Sequence, residues 1–105
     1  MRSAREREGG PRAAMELLGQ RWMLRIVWEL APGPLGFLEL RRRMDNCSSS
    51  MLSVRLQTLQ GAGVIVKRAD KAYELTTAGN ELGGALEHLW AWAADNLDPN
   101  ATVGE

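Results

Sequence analysis

The residues best suited to chemistry are short polar side chains that the sequence concentrates between positions 48 and 57. If this stretch is helical, spacings of four and three residues place three leucines on one side of it: Leu52, Leu56 and Leu59. The opposite side carries uncharged hydroxyl, amide and methyl groups: Ser50, Ser53, Val54 and Gln57. Glutamine can pair with adenine through two hydrogen bonds, and a valine methyl can contact the thymine methyl. The spacing therefore predicts a helix over residues 48–62 that could read base edges in a major groove.

Basic side chains flank this predicted helix on both sides along the chain: Arg41, Arg42 and Arg43 before it, and Lys67, Arg68 and Lys71 after it. Contacts to phosphate position a protein on DNA, whereas contacts to bases specify the sequence. The hydroxyl groups of Ser48 and Ser49 can add bonds to a phosphate near the free N–H groups of the first turn. Arg55 lies on the flank of the helix. It either binds phosphate or braces the domain through an internal salt bridge, and both alternatives stay open.

The charge of the chain is unevenly distributed, although the formal net charge of its 105 residues is zero. Residues 37–71 carry seven basic and three acidic side chains, a net charge of +4. Residues 1–36 carry six Arg and four Glu, whereas residues 72–105 carry six acids and no Lys or Arg. Positive charge is therefore concentrated around the predicted reading helix, which favours a nucleic-acid partner.

Composition indicates one globular domain, with 45% hydrophobic and 25% charged residues. No apolar run reaches the roughly 20 residues that a membrane helix needs, and the N-terminus does not resemble a secretory signal. A single cysteine cannot form an internal disulfide, and we expect a cytoplasmic protein without a membrane partner. We expect a flexible arm over residues 1–10, one domain over 11–96 and a tail over 97–105.

The order of predicted elements is that of a winged helix-turn-helix fold, mainly α with a small β-hairpin wing (α+β). Pro11 suits the first turn of a short helix ending at Leu18, and Trp22–Leu30 reads as a buried central helix with both of its tryptophans in the core. A third helix follows over residues 37–44, and strands over 64–68 and 72–75 form the hairpin. Either Asn46 or Ser48 caps the fourth helix, and Thr76 or Thr77 caps a last helix that ends near Asn96.

The last predicted helix carries a wide, aromatic stripe: Leu82, Ala85, Leu86, Leu89, Trp90, Trp92 and Ala93. Ordinary core packing accounts for some of these residues. The stripe is too wide for one small core, and aromatic side chains are favoured at subunit contacts. We therefore predict a homodimer whose interface includes six of them: Leu82, Leu86, Leu89, Trp90, Trp92 and Ala93.

Five motifs in a fixed order resemble the HxlR-type transcriptional regulators of the MarR-like winged-helix group: Leu17-Leu-Gly-Gln-Arg-Trp22, Gly33-Pro34, Phe37-Leu-Glu-Leu-Arg-Arg42, Ser48-Ser-Ser-Met-Leu-Ser-Val-Arg-Leu56 and Leu75-Thr-Thr-Ala-Gly79. The resemblance implies a dimer held by its terminal helices that binds operator DNA through the helix starting near Ser48. Three departures stand out: Gly9-Gly10-Pro11 replaces the family's frequent Cys-Pro, Leu35-Gly36 replaces basic residues, and the wing is short and lacks prolines.

Other chemistry has little support in the sequence. Cys47 could serve a redox role beside the reading helix, although a small residue in a turn explains it as well. His88 has no second histidine to share a metal, and no nucleophile–base pair is evident, so we expect neither an enzyme nor a cofactor. Analogy to MarR-like proteins suggests a small apolar effector. Two functions remain: a dimeric DNA-binding repressor, or a winged-helix module that docks a protein and binds DNA weakly or not at all.

Overall fold

A helix-turn-helix and a two-stranded wing occupy the middle of the chain, between helices at either end. The computed structural model describes residues 4–100, with side chains from residue 8 onward. Its elements, in chain order, are α1 (Ala4–Leu18), α2 (Met23–Leu30), α3 (Phe37–Arg43), α4 (Ser49–Gly61), β1 (Ile65–Lys67), β2 (Tyr73–Leu75) and α5 (Thr77–Asn96). The predicted fold class, mainly helical with a hairpin wing, is confirmed. Among the helices described, none is both long and apolar enough to cross a bilayer.

The core forms where α2 packs against α3, α4 and the hairpin. One face of α2 is fully buried at the helical spacing: Met23, Ile26, Val27 and Leu30. Leu52, Leu56 and Leu59 of α4 are each at most 1% exposed, so the predicted apolar face of this helix is confirmed. Burying a leucine side chain stabilises a fold by about 1.5–3 kcal/mol. These contacts fix which side of α4 faces solvent.

The turn between α3 and α4 is tightly specified. Asp45 and Asn46 both adopt left-handed backbone conformations, with φ of 59° and 54°, which asparagine and aspartate tolerate better than most residues. Nε of Arg41 then donates to the Cys47 carbonyl at 2.6 Å. The Ser48 hydroxyl accepts from the N–H of Met51 at 3.3 Å, so Ser48 is the N-cap of α4.

The wing is an antiparallel hairpin whose base is joined to the segment before α3. Ile65 pairs with Leu75 and Lys67 with Tyr73. Tyr73 also exchanges two backbone hydrogen bonds with Leu35, at 3.0 and 2.8 Å. Leu35, one of the positions where the family often has a basic residue, therefore extends the sheet by one pair. This pairing ties the wing to the start of α3.

A cap joins the hairpin to α5. The Thr76 hydroxyl donates to the Gly63 carbonyl at 2.5 Å and accepts from the N–H of Gly79 at 3.0 Å, which identifies Thr76 as the N-cap. The N–H of Thr76 donates to the Val64 carbonyl at 3.0 Å. A Cβ placed on Gly79 would overlap that same carbonyl oxygen. Position 79 therefore has no room for a side chain.

Two predictions about the N-terminal half are wrong. The first helix does not begin at Pro11: α1 begins at Ala4, so residues 4–10 are helical and Pro11 lies inside the helix. Arginine and glutamate favour helix, and this preference extends the helix past the Gly-Gly pair. Residues 1–3 lie outside the described part of the chain, as do residues 101–105 of the predicted tail.

The second error concerns Trp28, which is predicted to lie in the core. Its side chain is 51% exposed. It lies off the buried face of α2 and contacts Trp90 of α5 instead, in an edge-to-face pair with centroids 5.1 Å apart. Trp22 is partly buried against the core, but it precedes α2 in a left-handed conformation with φ of 78°.

Candidate nucleic-acid interface

The outward face of α4 is formed by the four residues that its spacing predicts. Ser50, Ser53, Val54 and Gln57 are all exposed, and Val54 is 53% exposed. Ser49 is exposed at the first position of the helix, and the hydroxyls of Ser48 and Ser50 lie 3.0 Å apart. The face carries donors, acceptors and one branched methyl pair, and it carries no charge. Such a surface can enter a groove without desolvating an ion.

The three arginines at the end of α3 differ in how far they are engaged within the protein. Arg42 and Arg43 each lie 3.0 Å from a carboxylate oxygen of Glu39. The hydrogen bond from Arg43, and then the positive charge of Arg42, hold the pKa of Glu39 below its ordinary value. Arg41 is half-buried and donates to the Cys47 carbonyl. Arg42, with 70% of its side chain exposed, is therefore the most accessible of the three.

The wing carries Lys67, Arg68 and Lys71, all exposed. Nζ of Lys67 lies 5.6 Å from the centroid of the Tyr73 ring, a cation–π arrangement that directs the ammonium group. Arg68 lies between two carboxylates, 3.3 Å from Asp70 and 3.6 Å from Glu74. Its charge is therefore partly balanced within the protein, whereas no ion pair engages Lys67 or Lys71 among the described residues.

A cleft of about 830 Å³ brings the wing and the reading helix together. Its walls include Leu38 from α3, Ser53 from α4, and Lys67, Lys71 and Tyr73 from the wing. Sequence distance hides this arrangement, because Ser53 and Lys71 are 18 positions apart. The structure thus gathers a predicted base-reading residue and two predicted phosphate-binding residues on one concave surface.

Arg55 braces the domain. Its Nε donates to the carbonyl of Arg21 at 3.0 Å, and its Nη1 donates to Oε1 of Gln20 at 2.8 Å. These bonds tie α4 to the turn between α1 and α2. Of the two alternatives for this residue, the internal brace is the one that the structure supports. Its partners are a carbonyl and an amide, and no salt bridge to Arg55 forms among the described residues. The partners lie 34 and 35 positions away, and nothing in the local sequence indicates them.

The predicted dimer residues of α5 separate into three groups. Leu82 and Leu86 pack against the chain's own core. Trp90 and Ala93 are half-buried and line a cavity beside α2. Leu89 and Trp92 are 39% and 54% exposed on the flank away from that cavity. Among the six predicted residues, this last pair is therefore the one that the described part of the chain leaves exposed.

The remaining chemically reactive side chains are isolated. The Cys47 thiol is buried, at 8% exposure, in the turn before α4. His88 is exposed on α5. Within the described residues no three His, Cys, Asp or Glu side chains are grouped so that they could hold a metal ion.

Comparison with known proteins agrees with this architecture. Residues 17–101 match the model of the HxlR-like helix-turn-helix family. The chain is 33% identical over 92 residues to the HTH-type transcriptional regulator YtcD of Bacillus subtilis, covering 82% of this chain and 73% of that protein. It is 30% identical over 99 residues to the HTH-type transcriptional regulator YodB of the same organism, covering 89% of this chain and 88% of YodB.

Solved structures extend the likeness to three dimensions. The quinone-bound structure of YodB superposes with a TM-score of 0.76 at 30% identity, covering 82% of this chain and 96% of that one. A MarR-family regulator from Enterococcus faecalis V583 superposes with a TM-score of 0.75 at 24% identity, over 84% of this chain and 86% of that one, and supports the fold alone. The chain therefore belongs to the HxlR-like helix-turn-helix family and is a helix-turn-helix transcriptional regulator.

Proposed function

We propose that this regulator is a homodimeric repressor that inserts α4 into the major groove of a near-palindromic operator. The observation that carries the proposal is the outward face of α4. Its four exposed residues, Ser50, Ser53, Val54 and Gln57, suit contacts to base edges. The opposite face is anchored by three buried leucines, so the reading face is held rigidly.

Phosphate contacts would come mainly from the cations that are most exposed at this surface. These are Arg42, Lys67 and Lys71, with Arg43 next. Arg41 and Arg55 contribute less, because their guanidinium groups already donate to backbone or amide oxygens. Arg68 lies between two carboxylates. The hydroxyl groups of Ser48 and Ser49 add donors at the start of α4.

Dimerisation would use the exposed flank of α5. Leu89 and Trp92 are large apolar side chains facing solvent, and they are three residues apart on one side of the helix. Two reading helices related by a two-fold axis enter successive major grooves roughly 34–36 Å apart. The operator would then consist of two inverted half-sites about one helical turn apart, and occupying it in the cytoplasm would block transcription.

A small apolar effector would release the repressor. The likeness to quinone-bound YodB supports an effector of this kind. In this chain positions 9 and 10 are glycines, so a cysteine switch just before Pro11 is not part of the proposal.

The test is selection of bound duplexes from a random library at two salt concentrations. We expect a recovered near-palindrome, with binding that weakens as salt rises because phosphate contacts release counterions. Weak binding without sequence preference that disappears at moderate salt would overturn the proposal. That result would favour the alternative function, a winged-helix module that docks a protein.

Our first prediction assigns base reading to α4. Gln57→Ala should cost about 1–3 kcal/mol at the operator and relax the preference at one base pair. Gln60→Ala is the matched control, since Gln60 is half-buried on the same helix and donates to the Leu56 carbonyl at 3.3 Å. Selection from the same library measures both variants. Equal loss of sequence preference in both would contradict the assignment.

A further inference from the structure

A groove between α2 and α5 has features that the proposed DNA contacts do not use. It is partly open to solvent and has a volume of about 410 Å³, within the range of small-molecule sites, and we call it the α2–α5 groove. Its apolar walls come from Val27, Trp28, Pro32, Leu75 and Trp90. The edge-to-face pair of Trp28 and Trp90 separates it from a second cavity of about 660 Å³, which both tryptophans also line.

Two consecutive glycines of α5, Gly83 and Gly84, line the groove. Glycine inside a helix costs roughly 0.8–1.0 kcal/mol relative to alanine. Close packing explains Gly79, whose Cβ would overlap the Val64 carbonyl. It does not explain Gly84, where an added Cβ would meet nothing within 4 Å. The absence of a side chain at Gly84 leaves the groove open.

The polar lining of the groove is acidic. Glu29, Asn80 and Glu87 contribute to its walls, and no Lys or Arg is among the described residues that line it. The Glu29 side chain is 13% exposed and lies 2.7 Å from Nε of Arg25, which lines the second cavity instead. Within the part of the chain that the structure describes, no ion pair engages Glu87. The groove therefore combines indole faces with one balanced and one free carboxylate.

We propose that the α2–α5 groove binds an organic cation that carries aromatic rings. Indole rings attract cations over their faces and stack with aromatic rings, and a nearby carboxylate adds charge complementarity. The groove lies on the flank of α5 away from Leu89 and Trp92. A ligand there leaves the proposed dimer surface uncovered.

A ligand in the groove would reach the DNA-binding unit through Arg25. This residue joins the Glu29 carboxylate to the end of α3, because its Nη2 donates to the Arg43 carbonyl at 2.6 Å. A cation beside Glu29 would offset part of the negative charge that holds Arg25 and thereby loosen this link. This regulatory consequence rests on the proposed function; the binding itself does not.

The binding test is calorimetric titration of the full chain with tetraphenylphosphonium and, separately, with tetraphenylborate. The two ions have the same shape and opposite charge. We expect tetraphenylphosphonium to bind about tenfold more tightly or better. Equal or tighter binding of tetraphenylborate, or binding of neither ion, would overturn the proposal.

Variants locate the binding. Glu87→Gln should weaken tetraphenylphosphonium binding about fivefold, the upper range for an exposed charge pair. Glu81→Gln makes the same charge change on α5 outside the groove lining and should leave affinity unchanged. Gly84→Leu should abolish binding by filling the groove, whereas Gly84→Ala should largely retain it. Unchanged affinity in both Glu87→Gln and Gly84→Leu would place the ligand elsewhere and refute the site, with circular dichroism confirming that each variant is folded.

The regulatory step has its own readout. If the library yields an operator, tetraphenylphosphonium should lower operator affinity for the wild-type chain and not for Gly84→Leu. Unchanged operator affinity in the presence of bound ligand would refute the Arg25 link while leaving the site intact. If no operator is recovered but tetraphenylphosphonium still binds selectively, the proposed function fails while the binding site stands.

Discussion

The Glu39 carboxylate controls how much positive charge α3 can offer to a phosphate. It pairs with both Arg42 and Arg43, so two of the three cations at the end of the helix are partly satisfied within the protein. Glu39→Gln removes a negative charge and frees both guanidinium groups. We expect tighter DNA binding and a salt dependence steeper by about one counterion, measured as the dissociation constant of a duplex across salt concentrations.

Glu81→Gln is the control, because it makes the same charge change on α5. If both variants bind DNA with the same affinity and salt slope, local pairing at Glu39 does not limit phosphate contact. Glu39→Gln also has a pH signature. The pKa of Glu39 is lowered in the folded state, so its contribution to stability is present above its unfolded pKa and lost as pH falls through the folded one. As the pH is lowered, the unfolding midpoint of the variant should therefore fall less than that of the wild-type chain.

Arg55 is the residue whose role the sequence leaves undecided. As a brace between α4 and the α1–α2 turn, it makes two hydrogen bonds from a charged donor. Arg55→Ala should lower the free energy of unfolding by about 1 kcal/mol, a value reduced for its partial exposure, as measured by urea denaturation. The salt slope of DNA binding should stay unchanged. If the salt slope of DNA binding instead falls by about one and the stability is unchanged, Arg55 binds a DNA phosphate.

At the scale of elements, two glycines of α5 should respond oppositely to the same substitution. Gly79→Ala pushes a methyl group into the Val64 carbonyl and should destabilise the fold by about 1–3 kcal/mol. Gly84→Ala meets open space and should stabilise it by about 0.8–1.0 kcal/mol through helix propensity. Urea denaturation of the two variants measures both signs. Stabilisation by Gly79→Ala would mean that α5 shifts easily against the hairpin.

The sequence predicts elements well where one local pattern dominates. The leucine spacing of α4 identifies its buried face. The pair of threonines before α5 predicts a cap there, and Thr76 provides it. It fails where two local signals conflict, as at Gly9-Gly10-Pro11, which reads as a helix boundary although α1 begins at Ala4. For Trp28, the spacing of Met23, Ile26, Val27 and Leu30 already defines the buried side of α2, and hydrophobicity alone misplaces the tryptophan.

Contacts between distant segments are the part of the candidate interface that the sequence does not predict. The exposure of Ser53 and Gln57 follows from helical period. The cleft that sets Ser53 beside Lys67 and Lys71 depends on the position of the wing, which backbone pairing of Tyr73 with Leu35 determines. No local pattern encodes such pairings.

At the scale of the whole molecule, the proposed dimer depends on Leu89 and Trp92. Trp92→Glu combined with Leu89→Glu places two charges on the exposed flank of α5 and should yield a monomer by analytical ultracentrifugation, because charges are disfavoured in the core of an interface. Operator affinity should fall by more than tenfold, since one half-site alone is bound. Val66→Glu, at a wing residue 44% exposed, controls for adding charge to an apolar surface and should keep the dimer. A dimer that persists in the double variant would place the interface elsewhere.

The distribution of indole rings gives the molecule a built-in optical reporter. All four tryptophans of the chain lie in or just before α2 or in α5, and none lies in α3, α4 or the wing. Trp28 and Trp90 touch each other beside the α2–α5 groove, and Trp92 faces the proposed subunit contact. Intrinsic fluorescence should therefore respond to occupancy of the groove and to dissociation of the dimer, while short duplexes bound at α4 leave emission nearly unchanged. The wavelength and intensity of tryptophan emission from one unlabelled sample can thus distinguish events at α2 and α5 from DNA binding at α4.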